Sequence, residues 1–67
     1  MSDEVWFKGF KLKEIRKERN FTQEELAEVV NVSGSYISKI ENGEQMPSMK
    51  VLNKITQAMR VSPKDFF

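Results

Sequence analysis

The sequence contains neither cysteine nor histidine, and each absence removes a class of chemistry. Without cysteine, no disulfide or thiolate metal site can brace so short a chain. Without histidine, the usual neutral-pH general base and the commonest zinc ligand are both missing. Glycine is sparse at three residues and proline at two, and no glycine-rich stretch has the pattern that cradles phosphates. No pair of carboxylates is spaced to share a cleft. These gaps argue against an enzyme, a metal protein or a cofactor carrier. No apolar run approaches the ~20 residues that a membrane span requires, and no signal-peptide pattern opens the chain. The expectation is a cytoplasmic protein.

What is present is one short domain. At 67 residues, a chain buries only about 60% of its unfolded surface, so packed apolar faces, or a partner subunit, must supply the stability. The net charge is only +1, but it is unevenly distributed. Residues 8–20 hold Lys8, Lys11, Lys13, Arg16, Lys17 and Arg19 against Glu14 and Glu18. Residues 21–47 hold Lys39 against Glu24, Glu25, Glu28, Glu41 and Glu44. Residues 48–67 are basic again, with Lys50, Lys54, Arg60 and Lys64 against Asp65. Two readings stand: solvated helix faces, or a positive edge that meets phosphates with the acidic side turned away.

Residues 1–7 read as a tail. From about Lys8 to Arg19, Leu12 and Ile15 are spaced as in a helix, and Asn20 suits a left-handed stop. Thr22-Gln23-Glu24-Glu25 has the spacing of a capping box, with Phe21 placed to staple onto Leu26. This second helix runs to about Val29 or Val30. Asn31-Val32-Ser33 breaks the pattern: Asn31 suits a tight turn and Ser33 an N-cap. A third helix spans Gly34 to about Glu41, and Gly43 stops it. Ser48 caps a fourth helix carrying Met49, Leu52, Ile55 and Met59 on one stripe. Ser62-Pro63 opens a short fifth helix bearing Phe66 and Phe67. The expected core is Leu12, Ile15, Leu26, Ile37, Ile40, Leu52, Ile55 and Met59.

Two short helices joined by about three residues must cross steeply. Ala27 supplies a small residue at the crossing, and Leu26, Val30, Val32, Ile37 and Ile40 pin the corner to a common core. The outer face of the third helix is then bare: Gly34, Ser35, Ser38 and Lys39, with Tyr36 at its edge. Small polar residues and one long cation suit a helix that enters a DNA major groove.

Residues 22–43, TQEELAEVVNVSGSYISKIENG, resemble the Cro and phage-repressor type of helix-turn-helix, the XRE family. Residues 47–67, PSMKVLNKITQAMRVSPKDFF, are similar to that family's fourth and fifth helices. The likeness covers residues 8–67. It implies an all-α, five-helix lambda-repressor-like domain with a helix-turn-helix core at 22–43. It implies sequence-specific binding of double-stranded DNA as a transcriptional regulator, first of all a repressor, with residues 34–41 in the major groove and no cofactor.

The resemblance also implies residue roles. Gln23 matches a glutamine that bonds a DNA phosphate. Ser33, Gly34, Ser35, Ser38 and Lys39 match positions that touch bases or nearby phosphates. Tyr36 matches a position that touches backbone or a thymine methyl, and Asn42 one that touches phosphate beyond the third helix. Arg16 and Glu41 match a partly buried ion pair between helices one and three. The chain departs from the family pattern at Asn20, Asn31 and Arg60, where glycine is usual. A positive φ at Arg60 would cost about 1 kcal/mol. Its Glu44-Gln45-Met46 loop lacks the cations some relatives carry, which implies fewer phosphate contacts and a gentler salt dependence.

Trp6, Phe7, Phe10, Phe66 and Phe67 add aromatic surface on the side of the first helix. They either close a small core or form a patch for homodimerisation. A two-fold dimer would read two half-sites of a palindromic operator about 34 Å apart. A competing role for the same fold is a protein-interaction module: an antitoxin, a controller or an anti-repressor.

Overall fold

The computed structural model describes residues 6–67. Four α-helices and a closing 3₁₀ turn make up the described chain: α1 (Gly9–Glu18), α2 (Gln23–Val30), α3 (Gly34–Glu41), α4 (Met49–Met59) and the turn Pro63–Phe66. The five-helix count expected from the sequence is therefore corrected to four helices. The fifth element starts at Pro63 as expected, but it is a single turn closed by short-range bonds. Asp65 N–H donates to the Ser62 carbonyl (2.9 Å) and Phe67 N–H to that of Lys64 (3.2 Å). One turn offers too few i→i+4 bonds to offset helix nucleation, so the tighter geometry prevails.

Local chemistry sets most boundaries. The Thr22 hydroxyl accepts from Glu25 N–H (3.0 Å), while the Glu25 carboxylate accepts from Thr22 N–H (2.9 Å). Ser33 Oγ accepts from Tyr36 N–H (3.1 Å) and Ser48 Oγ from Val51 N–H (3.2 Å), so α3 and α4 are capped alike. Asn20, Asn31 and Arg60 hold φ of 63°, 62° and 60°. Each closes a helix in the left-handed conformation, where the Asn side chains are tolerated better than the Arg side chain.

The helices surround one core of Phe7, Leu12, Leu26, Ala27, Val30, Ile37, Ile40, Leu52, Ile55, Met59 and Phe66. Ile15, expected in it, packs half-buried at its edge, as do Phe21 and Val32. Helix α2 packs against both α3 and α4, and α1 spans α3 and the 3₁₀ turn. Phe7, read from the sequence both as the end of the tail and as one of the aromatics that could close a small core, is buried. Its ring stacks on Phe66 with centroids 4.9 Å apart and meets Phe67 edge-on at 5.8 Å. The next residue is held too, since Lys8 N–H donates to the Phe66 carbonyl (2.6 Å). No described helix is long and apolar enough to cross a membrane.

Candidate nucleic-acid interface

Helix α3 is two-faced because its sequence is. Ile37 and Ile40 are fully buried. Ser35, Lys39 and Asn42, spaced three and four residues apart, fall on the opposite side and are exposed. Gly34, Tyr36 and Ser38 lie half-buried along the margins, and Ser33 is exposed at the N-cap. The corner that presents this face is tight. Asn31 turns the chain, Val32 N–H donates back to the Ala27 carbonyl (2.9 Å), and only three residues separate α2 from α3. Past α3, Gly43 takes φ of 80° and Glu44 N–H donates to the Lys39 carbonyl (2.9 Å), which closes the helix beside Asn42.

Tyr36 divides between two environments. Its ring packs against the core, and its phenol oxygen accepts from Ser48 N–H at 3.4 Å, a long bond that reaches the start of α4. At the head of α3, the Glu24 side chain passes within 3.7 Å of where a β-carbon on Gly34 would lie. A carboxylate thus stands close to the first turn of α3.

Behind this surface lies a buried polar knot. Arg16 grips Glu41 with two bonds, Nε to Oε2 at 2.6 Å and Nη2 to Oε1 at 3.1 Å. Its Nη1 donates to the Phe21 carbonyl at 2.7 Å. The two side chains are only 7% and 1% exposed, so the pair survives burial only because its bonding is complete. Gln23 joins it: Nε2 donates to Glu41 Oε1 at 2.9 Å. No buried side-chain nitrogen or oxygen among the described residues lacks a hydrogen-bond partner.

The structure thus brings Ser33, Gly34, Ser35, Ser38, Lys39 and Asn42 along one helix, with Gln23 at the adjacent start of α2. The five aromatics differ in burial. Phe7, Phe66 and Phe67 come together, whereas Trp6 and Phe10 are 62% and 57% exposed. Trp6 lines a shallow groove with Phe7 and Gly43, Glu44, Gln45 and Met46. Sequence reasoning missed Gly9, where α1 meets α3, and the Gln23–Glu41 bond. A glycine at the start of an otherwise well-formed helix was the available signal for the first. The second has none, because it joins residues 18 apart in sequence.

The helix-turn-helix family HTH_3 matches residues 12–66. This chain belongs to that family. It is 42% identical over 53 residues to the immunity repressor protein of Bacillus phage phi105, a match covering 79% of this chain and 37% of the repressor. A second protein of that phage, the ImmF control region 10 kDa protein, is 43% identical over 47 residues, or 70% of this chain and 52% of its own. The chain thus spans between about a third and a half of the length of these phage relatives. Among solved structures, the P22 c2 repressor in complex with a synthetic operator superposes with a TM-score of 0.86 at 27% identity, covering 94% of this chain and 96% of that one.

Proposed function

We propose that this chain binds double-stranded DNA sequence-specifically as a transcriptional repressor, with α3 seated in the major groove. The observation that carries the reading is the outer face of α3. Ser35, Lys39 and Asn42 are exposed on a helix whose other side is locked into the core. A helix with its side chains is about 10–12 Å across, and the major groove is about 12 Å wide. Lys39 is the one cation on that face, and guanine O6 and N7 are its natural partners. Ser33, Gly34, Ser35 and Ser38 approach base edges or adjoining phosphates. Tyr36 lies toward the backbone or a thymine methyl.

Gln23 and Asn42 flank the helix and take phosphates. The first N–H groups of α2 and its positive dipole end favour an anion beside Gln23. The relatives support this reading, because one is an immunity repressor and another was solved in complex with a synthetic operator.

A homodimer follows from the size of the site. One α3 touches only a few base pairs, and a two-fold pair reads a palindrome. The candidate contact comprises Trp6, Phe7, Phe10, Phe66 and Phe67, of which the exposed Trp6 and Phe10 rings offer the most apolar area. Such a protein works in the cytoplasm, at the nucleoid.

Titration with a mixed-sequence duplex at two salt concentrations tests the reading. Affinity should fall with salt, with a log–log slope of about −0.9 for each phosphate neutralised. Salt-independent or absent binding would favour the protein-interaction role instead.

A further inference from the structure

We infer that Glu41 is a positioning residue for DNA binding: its carboxylate aims the Gln23 amide at the phosphate while Arg16 cancels its charge. The inference rests on the proposed contact between Gln23 and phosphate. One carboxylate gathers three helices. Oε1 of Glu41, on α3, accepts from Gln23 Nε2 on α2 at 2.9 Å and from Arg16 Nη2 on α1 at 3.1 Å, while Oε2 takes Arg16 Nε at 2.6 Å. An ionised carboxylate only accepts hydrogen bonds, so the Gln23 group facing it must be the NH₂ and not the carbonyl. One N–H is spent on Glu41. The planar amide then fixes the direction of the second N–H, and the Gln23 carbonyl oxygen points away from Glu41.

This removes a freedom that a solvent-exposed glutamine keeps. A free amide turns either its oxygen or its nitrogen toward a phosphate, and the oxygen is repelled. Held by Glu41, Gln23 is set with a donor before DNA arrives, and less ordering is left for the moment of binding. The arrangement has an electrostatic hazard, because it sets a carboxylate one residue behind a phosphate site. The bidentate Arg16 grip meets that hazard, since both Glu41 oxygens face the guanidinium. The buried pair therefore does more than tie α1 to α3: it fixes the phosphate grip of α2 in register with the base-facing surface of α3.

The test is a double-mutant cycle on duplex affinity, using a mixed-sequence duplex and protein shown by circular dichroism to be folded at the working temperature. Gln23→Ala should weaken binding about three- to tenfold, the reach of one hydrogen bond. Glu41→Gln should weaken it to a similar extent, and the double variant should bind no worse than Gln23→Ala alone. An equal loss from Glu41→Gln with and without the Gln23 amide overturns the inference and leaves the phosphate contact standing. An unchanged affinity for Gln23→Ala removes the contact and the inference with it. A second measurement needs no altered core. In wild-type protein, one Gln23 side-chain N–H, the one held by Glu41, should exchange with solvent more slowly than the other, and only the other should move when the duplex is added. Two protons that exchange alike, or that shift together, contradict the inference even if Glu41→Gln fails to fold.

Discussion

Gly9 lies directly against the end of α3: a β-carbon there would collide with the Ile40 carbonyl oxygen and stand 2.8 Å from that of Glu41. Both obstacles are backbone, so neither can swing aside. This contact seats α1 on α3, about two turns before Arg16 reaches Glu41. Gly9→Ala should therefore destabilise the domain, although alanine is the better helix former. The expected loss is about 1–3 kcal/mol, the usual range for overpacking. Thermal unfolding followed by circular dichroism reads it directly; a raised melting temperature would show that α1 can shift freely.

The Arg16–Glu41 pair should behave as a buried unit. Removing one partner strands the other charge, at an expected cost of about 3–5 kcal/mol. Arg16→Met with Glu41→Leu should cost less than the two single changes added together. Urea unfolding of the four proteins measures the coupling, and strictly additive losses would mean that the pair is effectively solvated.

Arg60 is the least comfortable residue in the backbone, at φ 60° with a full side chain. Arg60→Gly should relieve about 0.5–1 kcal/mol, the left-handed strain less the added freedom of glycine in the unfolded chain. For a domain of this size, 1 kcal/mol corresponds to about 4–8 °C in melting temperature. A lower melting temperature would show that the Arg60 side chain contributes more than its backbone costs.

On DNA, two cationic or polar contacts should separate by kind. Lys39→Ala should relax preference at one base position by about 1–3 kcal/mol of discrimination. Gln23→Ala should weaken all sequences alike. Selection of bound sites from a random duplex library reads both, and the reverse outcome would exchange the two roles.

Phe10 tests the dimer. It is exposed on α1 and makes no part of the buried core, so Phe10→Ser should leave the melting temperature nearly unchanged. It should weaken self-association in sedimentation with a palindromic duplex. A wild-type protein that stays monomeric with and without that duplex would remove the dimer.

Most parts of this structure legible in sequence are those fixed by short-range chemistry; the Arg16–Glu41 pair, 25 residues apart, was implied by the family resemblance alone. The reciprocal bonds of Thr22 and Glu25 lie three residues apart, and the caps at Ser33 and Ser48 are equally local. Gly34–Glu41 was bounded correctly because a cap precedes it and Gly43 follows it. The αL turns at Asn20 and Asn31 follow from side chains that tolerate positive φ.

What escaped is long-range. Phe7 could be read as the end of a tail or as part of an aromatic group with Phe66 and Phe67; nothing near it in sequence decides between them, because its stacking partner Phe66 lies far along the chain. Arg19 looked like one more surface cation, yet its Nε donates to the Met59 carbonyl at 2.9 Å, across 40 residues. Of the site, the exposed face of α3 was readable from periodicity. The tether from Gln23 to Glu41 was not, because it depends on how two helices cross.

The central claim is that the outer face of α3 meets the duplex, and amide chemical shifts of ¹⁵N-labelled protein during titration with duplex at low salt test it most directly. The largest changes should fall at Gln23, Ser33, Ser35, Lys39 and Asn42, with the far end of α4 quiet. Shifts that spare α3 and gather around Trp6 and Phe10 would contradict the account.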